Sequence, residues 1–315
     1  MSGRWRRHTK QAIQWAIVVA TVVVLVRVAG QHGSDLRDLD PNFNVFWLAN
    51  AAVATIAANL ILPLGWRWVL ISFGQVLAKG RTVRLWCLAQ TARYLPTGLL
   101  AIASRMQLAA KEGVPRALTA TSIVIETAAL FCWALLACSL FVPSTTLPMT
   151  LRWIAGSSAA LGLLTAPWII PYAIRRLSNV KNMVPSEVLP RLLAYGLALL
   201  GASVAARAVG TVCLAAGFLE IRSADVPLIV GASYAAIVAG MVGITPAGLG
   251  VREGMMTAIL ASRFGLGDAA AFALFSRAWE FAFEMLFLAA ASWWGRKGRY
   301  ANSSIKDSPV PEAKL

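Results

Sequence analysis

The sequence predicts an all-α fold: a polytopic membrane helix bundle of about six full spans plus two re-entrant broken-helix hairpins in an inverted repeat. An eight-span count is the alternative. Three observations predict it. Of 315 residues, 58% are hydrophobic and 14% charged, with a mean hydropathy of +0.66, where a soluble domain carries roughly 25% charged residues. The apolar residues form runs long enough to cross a ~30 Å hydrocarbon core at ~1.5 Å per residue. The basic residues behind the net charge of +15 sit in short clusters between those runs, as cytoplasmic loops do.

The elements follow in order. Arg4, Arg6, Arg7 and Lys10 form a basic cytoplasmic N-terminus over residues 1–10. The run 11–29 is a retained first span, because no small-residue cleavage site follows it. Asp35, Asp38 and Asp40 mark an outer loop, and a second span runs over 43–65. Arg67, Lys79, Arg81 and Arg84 return the chain to the inside. The helix from Val83 then breaks at Tyr94-Leu95-Pro96-Thr97-Gly98, resumes at Leu99 and ends in Lys111-Glu112-Gly113. Each arm is about 12 residues, too short to span, so a re-entrant hairpin is predicted. Full spans follow at 117–141, 151–171 and 192–217. Basic residues Arg175, Arg176, Lys181 and Arg191 lie inside, and Glu220, Arg222 and Asp225 outside. Val226–Gly243 leads into a second break at Ile244–Glu253, which continues to Phe264 as the second hairpin. The last span is 269–294. The membrane domain therefore covers 11–295, and 296–315 form a disordered cytoplasmic tail.

Composition also bounds function. Aromatics interleaved with basic residues in a soluble groove, the mark of single-strand binding, are absent, so no nucleic acid is expected. The basic clusters suit anionic lipid head groups instead. Cys87, Cys132, Cys138 and Cys213 all lie in apolar runs without a CxxC, and the two histidines, His8 and His32, lie in polar ends. No metal, cofactor or catalytic set is expected.

The two breaks resemble each other. Tyr94-Leu95-Pro96-Thr97-Gly98-Leu99 and Ile244-Thr245-Pro246-Ala247-Gly248-Leu249 stand 150 residues apart. Each precedes a short helix, a glycine turn (Gly113 or Gly265) and a span carrying acid, Glu126 in one and Glu280 and Glu284 in the other. Three full spans separate them, so the second copy is upside down. Matched broken segments in inverted halves point to a transport site near the midplane.

The chemistry of the breaks suits an anion. Pro96 and Pro246 remove a backbone donor, and Gly98, Gly248 and Gly250 admit conformations closed to other residues. A helix starting near Leu249 presents free N–H groups and a positive dipole end to a phosphate. Arg252 in its first turn can bind that phosphate bidentately, and Arg93 and Arg105 flank the first break similarly. Glu253 orients Arg252 or accepts from a polar head group. Arg277, Glu280 and Glu284 share a helix face by their i,i+3 and i,i+4 spacing. Charge at membrane depth costs at least ~2.5–3.5 kcal/mol per residue, so these groups must pair or line a polar cavity. Plainer readings stand beside these. Arg252 and Glu253 could neutralise a structural turn. Glu126 and Arg207 could form a buried structural pair. Arg105 and Glu284 could snorkel to the interface. Trp66, Trp68, Trp293 and Trp294 read as interfacial anchors.

Pro246-Ala247-Gly248-Leu249-Gly250-Val251-Arg252-Glu253 resembles the P-G-G-L-G-x-x-E signature of the flippase-like transmembrane domain of lysylphosphatidylglycerol synthases. Tyr94-Leu95-Pro96, Gly113-Val114 and Glu126 fit that family's first half, and the resemblance covers roughly residues 10–295. Ala247 replaces the family's usual second Gly, and Thr127 follows Glu126 where an Arg is common. In the synthases the resemblance implies a domain that moves aminoacylated phospholipid between leaflets, fused to a soluble aminoacyltransferase. The chain ends about 20 residues past the last span, which leaves no room for that enzyme, so no enzymatic activity is expected.

Taken together, these features lead to an inner-membrane transporter of a lipid or lipid-linked intermediate. An anionic or phosphate-bearing head group would bind among Arg93, Pro96, Gly98, Glu126, Pro246, Gly248, Gly250, Arg252, Glu253, Arg277 and Glu280. The alternative is a non-transporting partner or regulatory subunit of a lipid-modifying or glycosyltransferase enzyme. A lipid-synthesis enzyme is an expected partner in either case.

Overall fold

A computed structural model describes residues 44–90, 99–144, 146–176, 188–243, 248 and 250–306, with the backbone alone at 99, 175 and 294–306. The span expected at 11–29, and Arg93, Pro96, Gly98 and Pro246 of the expected site, lie outside the described residues. Those described form α1 (Val45–Ser72), α2 (Lys79–Gln90), α3 (Leu99–Lys111), α4 (Arg116–Phe141) and α5 (Met149–Arg176). After these come α6 (Pro190–Phe218), a 3-10 turn (Ser223–Asp225), α7 (Val226–Val242), α8 (Val251–Phe264) and α9 (Leu266–Lys306). Among the described residues there is no strand, and the chain is an all-α, multi-pass membrane bundle.

Local sequence sets the helix ends. Asn44 caps α1 by accepting from Phe46 N at 3.1 Å, which satisfies one of the orphan donors of the first turn. α3 stops at Gly113, where φ is +85°. Gly113 N bonds Ala110 O at 3.2 Å and Val114 N bonds Ala109 O at 3.1 Å. That pair of bonds satisfies two terminal carbonyls and requires the left-handed residue that glycine supplies. On α5, Arg152 donates from Nε to Ser139 O at 2.9 Å and from Nη2 to Leu140 O at 3.1 Å. It thereby closes the C-terminus of α4.

Among the described residues, five helices are long and apolar enough to cross a membrane: Val45–Ser72, Arg116–Phe141, Met149–Ile174, Pro190–Phe218 and Ser223–Val242. Large apolar side chains such as Val53, Val124, Leu161, Leu164 and Trp168 are exposed along them, which is expected where the surrounding solvent is hydrocarbon. Val226–Gly243, assigned from sequence to one arm of a hairpin, thus has enough length to cross by itself. α9 is not among the five, although the sequence places its last span there. Its described portion carries Arg277, Glu280 and Glu284 in the helix centre. α9 continues to Lys306, past residue 296 where the tail is expected from the sequence.

The bundle is organised around α1 and α6. Gly65 faces Leu200, Gly196 faces Val69, Gly210 faces Thr55 and Gly217 faces Leu48. Contacts that rise along one helix and fall along the other mean the two run antiparallel over their length. A Cβ on Gly196 would lie 3.0 Å from Val69 N and 3.2 Å from Gly65 O, so the backbones meet where side chains are smallest, as membrane helices pack. On one flank, Trp66, Phe73, Trp86, Leu118, Leu193 and Leu197 form an apolar core with α2 and α4. On the other, Cys138, Ile229, Tyr234, Leu260 and Phe272 join α4, α7, α8 and α9 in a second core. α2 packs on α3 and α7 packs on α8, forming two hairpins. An ion pair staples the open end of each: Arg81 to Glu112 at 3.2 Å, and Arg263 to Asp225 at 2.8 Å.

Candidate functional site

Charge inside the bundle gathers in two places. The first joins α3 to α4. Arg105 and Glu126 form a two-pronged ion pair, with Nη1 on Oε2 and Nη2 on Oε1, the latter at 3.3 Å. Trp86 Nε1 donates to Glu126 Oε1 at 3.1 Å. The Arg105 guanidinium lies 4.8 Å from the Trp66 ring centroid and 5.5 Å from that of Trp86. Trp66 in turn donates its Nε1 to Ser122 Oγ at 3.0 Å. The Arg105 and Glu126 side chains are 7% and 5% exposed. A desolvated ion pair is stable only when further contacts complete its charges, and here the bidentate fork, the Trp86 indole N–H on Glu126 and the Trp66 ring face under Arg105 do so.

These contacts correct three expectations. Arg105 does not snorkel, since α3 packs against α4 and carries it inward. Glu126 pairs with Arg105 and not with Arg207. Trp66 is fully buried and is no interfacial anchor, because it faces the α2–α4 side of α1. Trp293, in contrast, is exposed.

The second cluster joins α6, α8 and α9. Glu280 Oε1 accepts from Arg207 Nη1 at 2.9 Å. Glu280 Oε2 lies 3.3 Å from Arg252 Nη2 and 3.4 Å from Arg277 Nη1. Glu253 Oε1 lies 3.4 Å from Arg277 Nε, and its Oε2 accepts from Gly250 N at 2.6 Å. Glu253 therefore closes the first turn of α8 and holds Arg277, and does not orient Arg252 as the sequence suggested. Three guanidiniums meet two carboxylates here. Arg252 and Glu280 are 21% and 20% exposed, so this cluster is more open than the first.

Arg252 reaches Glu280 by crossing Gly240 of α7 and Gly248 of the break. A Cβ on Gly240 would stand 2.4 Å from Arg252 Cγ. Gly248 has φ +70°, and a Cβ there would stand 2.9 Å from Gly240 Cα and 3.1 Å from Arg252 Cγ. The path exists only because both positions lack side chains. Gly250, with φ +82° and open space around it, is glycine for its backbone alone.

Between the two clusters lies a cavity of about 450 Å³. Arg105, Glu126, Arg207, Arg252, Glu280 and Glu284 line it, together with Trp86, Tyr234, Gly240 and Gly248. The structure thus brings Glu126, Gly248, Arg252 and Glu280 of the expected site to one space. Arg277 and Glu253 stand behind that wall and border a second cavity of about 40 Å³ with Thr55 and Ser233. Two lining arginines, Arg105 and Arg207, were absent from the expected site. Arg207 had a signal: it is the one charge between Arg191 and Glu220, and an isolated charge inside a span is a site hypothesis by default. Arg105 had a weaker one: it flanks the first break as Arg252 flanks the second, but its place near a predicted helix end reads equally well as interfacial.

The fold and this charged cavity define a multi-pass membrane protein with a polar chamber inside the bundle. The chain belongs to the family described as the lysylphosphatidylglycerol synthase TM region, whose model matches residues 13–287. That membership puts it among membrane proteins of lipid metabolism. No curated protein and no solved structure matches it.

Proposed function

We propose that this protein carries a lipid or lipid-linked intermediate across the bacterial inner membrane as a flippase-like transporter, and is not an enzyme. The anionic head group enters the cavity between two inverted repeats, while the acyl or prenyl chains stay in the bilayer. The observation that carries this reading is the cavity of about 450 Å³ with Arg207 and Arg252 on its wall. That volume lies within the roughly 300–1,000 Å³ of small-molecule sites. A guanidinium pair beside a helix N-terminus is suited to a phosphate.

Several features support the inverted repeat. α2–α3–α4 and α7–α8–α9 have the same order of hairpin and long helix. Gly113 and Gly265 make the corresponding turns, at φ +85° and +83°. In each half the arm after the break is ion-paired to the long helix that follows, through Arg105–Glu126 and Arg252–Glu280. α1 and α6, which would be the paired first helices, run antiparallel, as inversion requires. The short arms α2 and α3 on either side of the first break act as a re-entrant element, and both termini face the cytoplasm.

The test is reconstitution into liposomes with labelled phospholipids, read as leaflet exchange. The wild type is expected to accelerate exchange of an anionic phospholipid, and folded Arg252→Ala to lose most of that rate. A folded wild type that exchanges none of the lipids would sink the transport reading and favour a partner subunit.

A further inference from the structure

Glu280 occupies the place an incoming anion needs. Its carboxylate is gripped by Arg207 of α6 and Arg252 of α8, at 2.9 and 3.3 Å. Those two arginines line the large cavity with it. A carboxylate and a phosphate offer the same chemistry to a guanidinium, namely acceptor oxygens and negative charge. Both cannot occupy one half-buried arginine pair without like-charge repulsion in a medium that screens poorly.

We infer that Glu280 is the resident counter-anion of the cavity, and that a phosphate-bearing head group binds by exchanging with it. The inference rests on the reading that the cavity takes an anionic head group. The surrounding residues make the exchange feasible. When Glu280 leaves Arg207 and Arg252, the phosphate oxygens replace its two oxygens at both guanidiniums. Arg277, the third arginine on Glu280, keeps Glu253 at 3.4 Å. The displaced carboxylate stays within reach of Arg277, its i,i+3 neighbour on α9, so no charge is stranded. The same contacts tie α6 and α8 to α9. Exchange therefore loosens two inter-helix ties when substrate arrives, which couples occupancy to helix movement.

The measurement uses the full chain in nanodiscs. It compares wild type, Glu280→Gln and Glu280→Asp for binding of dihexanoylphosphatidylglycerol and, separately, inorganic phosphate, with a melting curve for each variant. Glu280→Gln keeps the shape and removes the competing charge. It is expected to bind the short-chain lipid roughly tenfold more tightly than wild type, about the effect of 1.4 kcal/mol. In liposomes it exchanges lipid more slowly, because the carboxylate that would displace the head group from Arg207 and Arg252 is gone. Glu280→Asp, with shorter reach, is expected to give a smaller gain of the same sign, and it serves if the Gln variant does not fold. A gain with inorganic phosphate as well assigns recognition to the phosphate group itself. A gain with the lipid alone assigns part of it to the chains. If neither folded variant binds either probe more tightly than wild type, Glu280 is no competitor and the inference fails. If the variants gain affinity while the wild type exchanges no lipid, the transport reading fails and the exchange of anions stands.

Discussion

Arg105 and Arg252 are both arginines on short helices paired to a glutamate on the following long helix, yet their surroundings give them different work. Arg105 is enclosed by Trp66 and Trp86 and locked to Glu126, with both side chains under a tenth exposed. Removing one member of such a pair leaves the other charge buried and uncompensated, which costs about 3–5 kcal/mol. Arg252 is less enclosed, with its side chain 21% exposed against 7% for Arg105, and its partner Glu280 has two other arginines. Arg105→Ala is therefore expected to lower the melting temperature in detergent far more than Arg252→Ala, while Arg252→Ala has the larger effect on lipid binding. Equal melting temperatures would contradict this division. Helix periodicity alone put Arg277 and Glu280 on one face, and they touch at 3.4 Å. It gave no means to match Arg105 with Glu126 or Arg207 with Glu280, because those partners lie on different helices.

At the level of elements, the hairpin α7–α8 owes its shape to a few residues. The Gly250 turn has positive φ, Glu253 bonds back to Gly250 N, and Arg263 and Asp225 close the open end. Gly250→Ala meets no atom within 4 Å, so its cost is the backbone alone, about 1–3 kcal/mol for an L-residue held at φ +82° and ψ −43°, a region that side chains rarely enter. Four residues on, Gly254 also meets nothing within 4 Å but sits inside α8 at ordinary helical angles. Gly254→Ala is expected to stabilise the same helix by about 0.5–1 kcal/mol. Amide hydrogen exchange along α8 checks both: faster for the first variant, slower for the second. The glycine turns at Gly113 and Gly265 were legible in the sequence because Gly frees the chain locally. The independent crossing length of α7 and the charged α9 were harder to assign. Span length and apolarity do not reveal which helices line a polar chamber.

The whole molecule turns on the α1–α6 contact, where glycines on both helices bring the backbones together. A side chain at Gly196 would press on backbone atoms of α1, Val69 N and Gly65 O, as well as on the Val69 side chain. Gly196→Val is therefore expected to destabilise the bundle by about 1–3 kcal/mol or more, read as a lower melting temperature and a poorly monodisperse elution profile. An unchanged profile would show that the two helices can part without loss. The sequence by itself determined the membrane class, most of the described spans, the glycine turns and the family, since each depends on composition, run length or local backbone chemistry. Only the tertiary structure decided which charges pair, which tryptophans are buried and where the cavity lies. Those depend on how each helix is rotated and set against its neighbours, and no periodicity within a single helix contains that information.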